Sequence, residues 1–355
     1  MFTEILERGQ RVLGSGLVDL LTGPHGVDRY TELVDPMLVA DGRARIVAVR
    51  RATPRSVTLT LAPNAAFRAA AGPRAGQHVT VTVEIDGRRH TRCYSPANAE
   101  GADHLELTVG RHDGGLVSNH LYRCAREGMV VGLGRPGGDF VLPAQPPRRM
   151  LFVAGGSGIT PIMAMLRTLH DRGYDGEAVL IHYVRDAAEA AYRAELAALP
   201  QVRVLYGYTR SPNGADLSGH FGDEHLAAAL PDPDAVYVCG PPALAEAVRA
   251  HCETVYAESF FPPARQIPAD ASGGRIGFTD SGVEITDDGR SLLEQAEAAG
   301  LNPASGCRMG ICHTCTRRKN SGVVMNLNNG AVSGADAENV QICVSVPVGD
   351  VDIAL

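Results

Sequence analysis

The chain has 355 residues, of which 45% are hydrophobic and 21% are charged, so its length predicts two or three domains of ordinary size. The composition is close to the average for globular proteins and excludes a disordered or fibrous chain. The formal net charge of -7 and the lack of a long basic run exclude a nucleic-acid-binding surface, because phosphate binding requires clustered lysine and arginine.

Cysteine use and hydropathy predict a cytoplasmic protein. Eight cysteines are few for this length, and three of them fall between residues 307 and 315, which is not the pattern of a secreted disulfide framework. Charged residues interrupt residues 1–21, so no signal peptide is predicted there. No segment reaches the roughly 18 apolar residues of a membrane span.

The first 40 residues are predicted to form a helical N-terminal extension. Their apolar positions recur at spacings near three and four, as on one face of a helix. We expect this face to pack on the body of the protein. Peripheral contact with a membrane-bound partner is the alternative, which the mixed charge of the polar face disfavours. The apolar positions are Phe2, Ile5, Leu6, Leu13, Leu17, Leu20 and Leu21.

Residues 41–146 are predicted to form an antiparallel β-barrel. Short β-rich segments separated by glycine and proline turns are typical of such a barrel. The predicted strands cover residues 44–49, 56–61, 78–85, 90–95, 105–109 and 129–133.

Residues 147–261 are predicted to form an α/β doubly wound domain, in which helices flank a parallel sheet. Residues 262–274 are rich in proline, alanine and glycine and are predicted to be a linker. The remaining residues, 275–355, are predicted to form a third domain. In the α/β domain, strands are predicted at 150–154, 178–184, 202–206 and 235–239, and helices at 161–172, 187–199, 224–230 and 243–256.

The first candidate cofactor site lies on a predicted strand of the barrel. Alternation directs Arg92 and Tyr94 to one face, where the guanidinium can reach a flavin pyrophosphate and the ring can lie against the isoalloxazine. An ordinary surface pair is the alternative. Gly115, Val117 and Ser118 then open a helix whose free N–H groups suit the same pyrophosphate, although a simply capped helix would give the same pattern.

A glycine-rich loop comes directly after the first predicted strand of the α/β domain. Gly156 and Gly158 would let cofactor phosphates approach the backbone. Ser157 and Thr160 belong to the same loop, and Pro161 suits the first position of the helix that follows. The loop therefore predicts a nucleotide-binding site.

A second loop ends a later strand at the carboxyl edge of the same sheet, where ligands of such sheets bind. It contains Cys239, Gly240 and Pro241. Cys239 is predicted to contact a nicotinamide, and a buried core thiol is the alternative.

The choice of nucleotide depends on charged residues near the end of the second strand of this domain. Arg185 with Arg193 or Arg210 would hold a 2′-phosphate, whereas Asp186 would bind a ribose hydroxyl. We expect NADPH over NADH.

Four cysteines give the most specific pattern in the chain. Cys307, Cys312, Cys315 and Cys343 have the spacing of plant-type [2Fe-2S] ligands, and small neighbouring residues let backbone N–H groups turn toward the cluster sulfurs. Three alternatives fit less well. Zinc sites usually have matched close pairs of ligands, a thioredoxin-type pair leaves two cysteines unexplained, and a Rieske centre needs two histidines, of which only His313 lies in the motif.

The segment from residue 275 to 355 resembles plant-type ferredoxins, on Cys307, Arg308, Gly310, Cys312 and Cys315. This resemblance implies a β-grasp fold.

The motifs between residues 43 and 261, in their order, resemble the ferredoxin-NADP reductase superfamily, and the loop before Ser118 resembles FAD members rather than FMN members. Glu258 to Phe260 resembles the family's terminal motif, in which an aromatic ring lies beside the flavin. The resemblance implies that Arg92, Tyr94, Ser95 and Ser118 hold the flavin, that Gly156, Gly158, Thr160 and the Cys239 loop position the nicotinamide, and that Cys239, Glu258 and Phe260 are catalytic.

The domain order resembles oxygenase reductases of the phthalate dioxygenase reductase type, and residues 28–30, 35–38 and 90–96 resemble actinobacterial reductases that serve acyl-lipid desaturases. This implies a hydride transfer from NAD(P)H to FAD, then single electrons to the cluster and to a separate iron-dependent desaturase or oxygenase. One alternative is a different acceptor, a soluble hydroxylase or a haem monooxygenase. The others are different functions, namely an iron–sulfur carrier with a regulatory nucleotide domain and a self-contained oxidase.

Overall fold

The computed structural model describes residues 35–211, 213–260, 274–310 and 313–355. The predicted apolar face within residues 1–21, nearly all of the predicted linker and Cys312 therefore lie outside the described residues. Three sheets follow one another along the chain, with six, five and five strands. Their order agrees with the predicted order of domains, while the domain limits themselves stay a prediction.

The first sheet is antiparallel and barrel-like, as predicted. Every second side chain of its third strand, from Val79 to Ile85, is buried in one apolar core, because successive side chains of a strand point to opposite faces. The strands pair in the order β4-β3-β6-β1-β2-β5. The elements are β1 (Arg43–Thr53), β2 (Ser56–Pro63), α1 (Ala65–Arg68), β3 (Val79–Ile85), β4 (Arg88–Tyr94), β5 (Leu105–Gly110), α2 (Leu116–Cys124) and β6 (Val130–Leu133).

The second sheet is parallel and has the order β11-β10-β7-β8-β9. Alternate residues of its first strand enter two separate cores, Met150 and Phe152 on one face and Leu151 and Val153 on the other, which confirms the doubly wound layout. The elements are β7 (Arg149–Gly155), α3 (Ile159–Asp171), β8 (Glu177–Val184), α4 (Arg193–Ala197), β9 (Val202–Tyr208), α5 (Asp223–Ala229), β10 (Ala235–Cys239), α6 (Pro242–His251) and β11 (Val255–Glu258).

Two predicted helices of this domain are wrong in part. The helix predicted at 187–199 is a 3-10 turn followed by the short α4, because Tyr192 between them has a φ of 62°, in the left-handed region that breaks a helix. The helix predicted at 243–256 ends at His251, and Val255–Glu258 instead pairs in parallel with β10 as an edge strand.

The third sheet is mixed, with the order β13-β12-β16-β14-β15. Among the described strand pairs of this sheet, only β12 and β16 run parallel. Helix α7 packs on it through Leu292, Leu293 and Ala296, which gives the predicted β-grasp fold. Ser291 and Glu294 form a capping box at its start. The elements are β12 (Arg275–Phe278), β13 (Val283–Thr286), α7 (Leu292–Ala298), β14 (Thr316–Asn326), β15 (Glu338–Gln341) and β16 (Ser345–Ile353).

Lys319, the only lysine of the sequence, is fully buried in this third unit. Its ammonium group donates hydrogen bonds of 2.7 Å to the carbonyl oxygens of Gly322, Gly334 and Asp336. All three donors of the ammonium are thereby used, which is what a buried charge requires. The side chain ties the loop before β15 to β14.

Candidate functional site

A cavity of about 570 Å³, here called the nucleotide cavity, lies between the barrel and the carboxyl edge of the parallel sheet. The loops after β7 and β10 form one wall, and residues next to β2 and β5 form the other. Four of the predicted cofactor-binding residues line it, namely Gly156, Ser157, Arg185 and Pro241. The position agrees with the rule that open parallel sheets bind ligands at the carboxyl ends of their strands.

Close packing joins the two loops of this wall. A Cβ atom on Gly158 would overlap the carbonyl oxygen of Cys239, so only glycine fits there. Thr160 donates to the carbonyl of Ser157 at 3.2 Å, and Pro161 is buried in the first turn of α3. Gly158 and Thr160 therefore shape the cavity from behind rather than lining it.

His182 lies beneath the glycine loop and was not predicted from the sequence. It is fully buried on β8, and its Nε2 atom is 3.3 Å from the carbonyl oxygen of Gly156, which has a φ of 55°. Burial lowers the pKa of His182 to about 4, so the ring is neutral at physiological pH and Nε2 donates to Gly156. A histidine within an apolar strand gives no signal that separates this role from core packing.

The structure places Cys239 in the core, fully buried at the end of β10. Burial, with a smaller effect of the Glu258 charge, raises the pKa of its thiol, so it is protonated at neutral pH. The sequence left two environments open for Cys239, and its burial agrees with a core thiol. Contact with a nicotinamide stays a prediction.

Charged side chains surround one end of the nucleotide cavity. Arg185 and Arg55 both approach the carboxylate of Glu189, at 3.7 and 3.9 Å, and Arg55 also pairs with Asp113 at 3.1 Å. Arg55 comes from the turn before β2 and was not predicted. Asp186 uses its carboxylate to accept from the backbone N–H groups of residues 188 and 189, so it caps the 3-10 turn.

Arg193 does not line this cavity. It donates to the hydroxyl of Tyr208 at 3.1 Å, and its guanidinium lies 5.1 Å from the centre of the Tyr206 ring. Of the predicted candidates for holding a 2′-phosphate, Arg185 is the one that the structure places at the cavity.

Arg167 fixes the wall of the barrel against the parallel sheet. It extends from α3 and donates to Glu195 at 2.6 and 2.7 Å, to Glu106 of β5 at 3.0 Å and to the carbonyl of Ala97 at 2.7 Å. A bidentate arginine–carboxylate pair of this kind gives geometric precision as well as energy. The nucleotide cavity thus lies between two units that are held together.

A smaller cavity of about 90 Å³, here called the junction cavity, is where the three units meet. The end of the parallel sheet contributes to it, together with two segments named here. The flavin strand is β4 with Ser95 directly after it, and the cysteine loop is the loop before β14 that contains Cys307 and Cys315. Its lining consists of His78, Arg92, Cys93, Ser95, Glu258, Ser259, Phe260, Cys307 and Met309.

Of the predicted flavin residues, Arg92 of β4 and Ser95 directly after β4 line this junction, whereas Tyr94 does not. Arg92 donates to the carbonyl of Thr91 at 2.7 Å and reaches the carbonyl of Gly306, in the cysteine loop, at 3.5 Å. Burial raises the pKa of Tyr94, whose ring packs against the barrel core. The Ser95 hydroxyl is buried and has no hydrogen-bond partner among the described residues. Such an orphaned group suits a polar cofactor edge.

Glu258 and His78 form a buried pair in the same cavity. Glu258 Oε1 lies 3.7 Å from Nδ1 of His78, and their side chains are 11% and 7% exposed. Burial raises the pKa of Glu258, and its Oε2 atom has no hydrogen-bond partner among the described residues. Phe260 lines the cavity beside them and packs partly on the core of the parallel sheet. His78 was not predicted.

The predicted helix terminus lies apart from both cavities. Gly115 is the N-cap of α2, Val117 and Ser118 are buried in its first turn, and none of the three lines either cavity. His112 and Asp113, just before them, do line the nucleotide cavity. The structure therefore does not bring Gly115 and Ser118 into one cavity with Arg92 and Ser95, and their shared role stays a prediction.

Three of the four predicted cluster ligands are described, and Cys307, Cys315 and Cys343 are all buried. The N–H of Met309 donates to the Cys307 sulfur at 3.3 Å. A hydrogen bond with Cys315, together with burial, raises the pKa of Cys343, so a bound cation is needed to hold this thiol as thiolate. Among the described residues, no three histidine, cysteine or carboxylate side chains converge as ligands of a metal ion.

The cysteine loop has a strained backbone. Arg308, Gly310 and His313 have φ values of 60°, 77° and 56°. The Arg308 guanidinium is held by Glu297 of α7 at 2.9 Å. Non-glycine residues in the left-handed region persist only where their surroundings enforce them, and they concentrate at functional sites. Buried sulfurs inside such a loop have the donor chemistry that an iron–sulfur cluster needs.

Three family models match the chain in succession. The oxidoreductase FAD-binding domain matches residues 65–141, the oxidoreductase NAD-binding domain matches 152–250, and the 2Fe-2S iron-sulfur cluster binding domain matches 278–348. A Mycobacterium tuberculosis protein named NADPH oxidoreductase is 34% identical over 351 residues, which cover 93% of this chain and 89% of that protein. This chain belongs to the ferredoxin-NADP reductase superfamily. The predicted FAD, NAD(P)H and [2Fe-2S] cofactors are confirmed at the level of the domains.

Other relatives of this reductase agree with that membership. A glycine betaine monooxygenase reductase subunit of Pseudomonas aeruginosa is 29% identical over 314 residues, covering 78% of this chain and 86% of that protein. The solved structure of phthalate dioxygenase reductase has a TM-score of 0.60 at 24% identity and covers 88% of this chain and 97% of that one. Its likeness shows a shared fold. None of the helices described for this reductase has the length and hydropathy to span a bilayer.

Proposed function

We propose that this reductase passes reducing equivalents from NADPH through FAD to its own [2Fe-2S] cluster and on to a separate iron-dependent oxygenase or desaturase. The observation that carries the proposal is the junction cavity, where Arg92 and Ser95 of the flavin strand lie beside Cys307 of the cysteine loop. NADPH gives two electrons at once and the cluster accepts one at a time, so the flavin between them must lie close to the cluster.

When bound, a flavin supplies the chemistry of accepting a hydride and releasing electrons singly. The side chains of this chain hold and orient the groups around it. Ser95 and Glu258 offer buried polar atoms that are free for a cofactor edge among the described residues, and Arg92 links the flavin strand to the cysteine loop. Orientation of this kind is the main contribution of the protein in cofactor enzymes.

NADPH is proposed over NADH because of the charge around the nucleotide cavity. Arg55, Arg111 and Arg185 line it against two carboxylates, Asp113 and Glu189. Asp186, the residue expected to bind a ribose hydroxyl, is used as a helical cap. A relative named NADPH oxidoreductase supports the same choice.

The acceptor is proposed from the relatives. Two of them are named as reductase subunits, of glycine betaine monooxygenase and of stachydrine N-demethylase. These names support an oxygenase-type partner, and the resemblance to desaturase reductases supports a desaturase. Peripheral contact with a membrane-bound acceptor concerns residues 1–40 and stays a prediction.

The proposal is tested on full-length protein under anaerobic conditions. NADPH is expected to bleach the flavin and then to produce a rhombic spin signal from the cluster. In Cys343→Ser the spin signal and cytochrome c reduction should fall more than about tenfold, while ferricyanide reduction by the flavin stays within about twofold. Cys124→Ser, at an exposed cysteine of α2, is the matched control and should behave as wild type.

Two results would contradict the proposal. One is a wild-type protein, reconstituted with iron and sulfide, that gives no spin signal with NADPH. The other is a Cys343→Ser variant that reduces cytochrome c at the wild-type rate, since electrons would then leave by a route that avoids the cluster.

A further inference from the structure

Two side-chain amides outside the cysteine motif hold the backbone of the cysteine loop. Asn328 donates from Nδ2 to the carbonyl oxygen of Met309 at 2.8 Å, and Gln341 donates from Nε2 to the carbonyl oxygen of Gly310 at 2.8 Å. The two carbonyls are consecutive, and they lie in the stretch of left-handed backbone. The amides are therefore well placed to enforce a conformation that the loop would not adopt alone.

The peptide that Asn328 holds also carries a hydrogen bond to a sulfur. The Met309 carbonyl and the Gly310 N–H belong to one planar trans peptide, in which C=O and N–H point in opposite directions. The backbone N–H of Gly310 hydrogen-bonds the sulfur of Cys343. Fixing the carbonyl at Asn328 thus aims the N–H at Cys343.

Both amides are themselves anchored. The N–H of Asn328 donates to Oδ1 of Asn326, at the end of β14, at 2.8 Å. Gln341 ends β15, pairs with Thr316 of β14, and places Nε2 3.2 Å from Nδ1 of His313 as well. Support from strands gives these amides a precision that a free loop would not have.

Glycine at position 310 is required by this arrangement. A Cβ atom there would lie 2.8 Å from Nδ2 of Asn328 and 2.9 Å from Cγ2 of Val344. The close approach of the Asn328 amide to the backbone therefore depends on the missing side chain.

We propose that Asn328 and Gln341 are positioning residues for the [2Fe-2S] cluster, which orient the Met309–Gly310 peptide so that its N–H donates to the Cys343 sulfur. The inference rests on the proposed cluster at Cys307, Cys312, Cys315 and Cys343. Hydrogen bonds to cluster sulfurs stabilise the reduced state and raise the reduction potential. The two amides accordingly make the cluster easier to reduce and slower to lose iron.

The test is Asn328→Asp in the full-length protein, with Asn329→Asp as the matched control. The first change replaces the N–H donor by a carboxylate oxygen that repels the Met309 carbonyl. The second adds the same charge one residue away, at another exposed asparagine whose Oδ1 accepts from the N–H of Ala331, a bond that aspartate keeps. Gln341→Glu repeats the loss of the amide donor at the second position, and Asn328→Ser removes the Nδ2 amide group without adding a charge.

Iron release to a chelator and the reduction potential of the cluster, titrated with dithionite and mediators, are the two readouts. Asn328→Asp, Asn328→Ser and Gln341→Glu are expected to release iron about fivefold faster and to have a lower potential, in line with the loss of one hydrogen bond. Asn329→Asp is expected to match wild type. Full FAD content confirms that the flavin unit of each variant is intact.

Equal iron release and equal potentials in wild type, Asn328→Ser and Gln341→Glu would overturn the inference. So would an Asn329→Asp variant that changes as much as Asn328→Asp, because charge alone would then explain the effect. Absence of any cluster in the wild-type protein would instead be a failure of the proposed function, and the dithionite titration separates it from these outcomes.

Discussion

The nucleotide cavity and the junction cavity are built in different ways. The first, of about 570 Å³, is formed largely by the loops after β7 and β10 and is edged by arginines paired with Glu189 and Asp113. The second, of about 90 Å³, is formed by side chains from three units and holds the orphaned atoms of Ser95 and Glu258. The difference agrees with two tasks, because a dinucleotide enters and leaves at each turnover whereas electrons pass between resident cofactors.

A substitution of Gly158 is expected to have the largest effect on turnover at neutral pH. In Gly158→Ala the new methyl group overlaps the Cys239 carbonyl and separates the two loops of the nucleotide cavity. We expect NADPH-dependent flavin reduction to fall by about a hundredfold, the cost of misplacing reacting groups by roughly 1 Å. Stopped-flow absorbance measures this rate.

The junction cavity should be unaffected by that change. The dithionite-reduced spin signal of Gly158→Ala is expected to equal that of wild type, and Gly72→Ala, at a glycine with open space around it, is the control. Loss of the cluster signal in Gly158→Ala would show that the two cavities are not separable in this way.

Arg185 tests whether the nucleotide cavity recognises the 2′-phosphate of its ligand. Arg185→Ala removes one cation from the end of the cavity, where it pairs with Glu189. We expect the KM for NADPH to rise about tenfold, as for the loss of one charge-assisted contact, with the KM for NADH nearly unchanged. Arg148→Ala, an exposed arginine outside the cavity, is the control. An equal rise for both nucleotides would contradict the role.

Replacing His182 is expected to have the smallest effect on turnover at neutral pH, but it should change how the stability of the protein depends on pH. Its pKa is lowered from 6.5 to about 4 in the fold, so the stability it provides is complete above pH 6.5 and is lost as the pH falls toward 4. Denaturant titrations should show wild type losing about 2 kcal/mol more than His182→Gln between pH 7 and pH 5. Parallel acid curves for the two proteins would contradict a neutral, buried His182.

The fold was predictable where local pattern and tertiary pairing agree. Strands such as β3 and β10 alternate or run apolar as their burial requires, and their predicted bounds differ from the observed ones by no more than one residue. The helix predicted at 187–199 failed because Tyr192 reaches across to the barrel, where its hydroxyl lies 2.5 Å from Oγ1 of Thr108. A contact 84 residues away in sequence leaves no local pattern.

The residues of the site were predictable where they belong to a local sequence motif. The cysteine spacing and the glycine loop are local motifs, so Cys307, Cys315, Gly156 and Gly158 could be named from the sequence. Arg55, His78, His182 and Asn328 could not, since each reaches its cavity or loop from a distant element as an ordinary residue of a turn or strand. For Cys239 the sequence left a nicotinamide contact and a buried core thiol open, because the end of an apolar strand suits both, and the structure encloses it in the core.

Because Lys319 is buried, its chemical modification would report the unfolding of the ferredoxin unit. Because the sequence offers no other side-chain amine and this one is engaged by three carbonyls, acylating reagents are expected to modify it only when β14 and the loop before β15 come apart. Mass spectrometry of the labelled chain would then time the opening of that one unit.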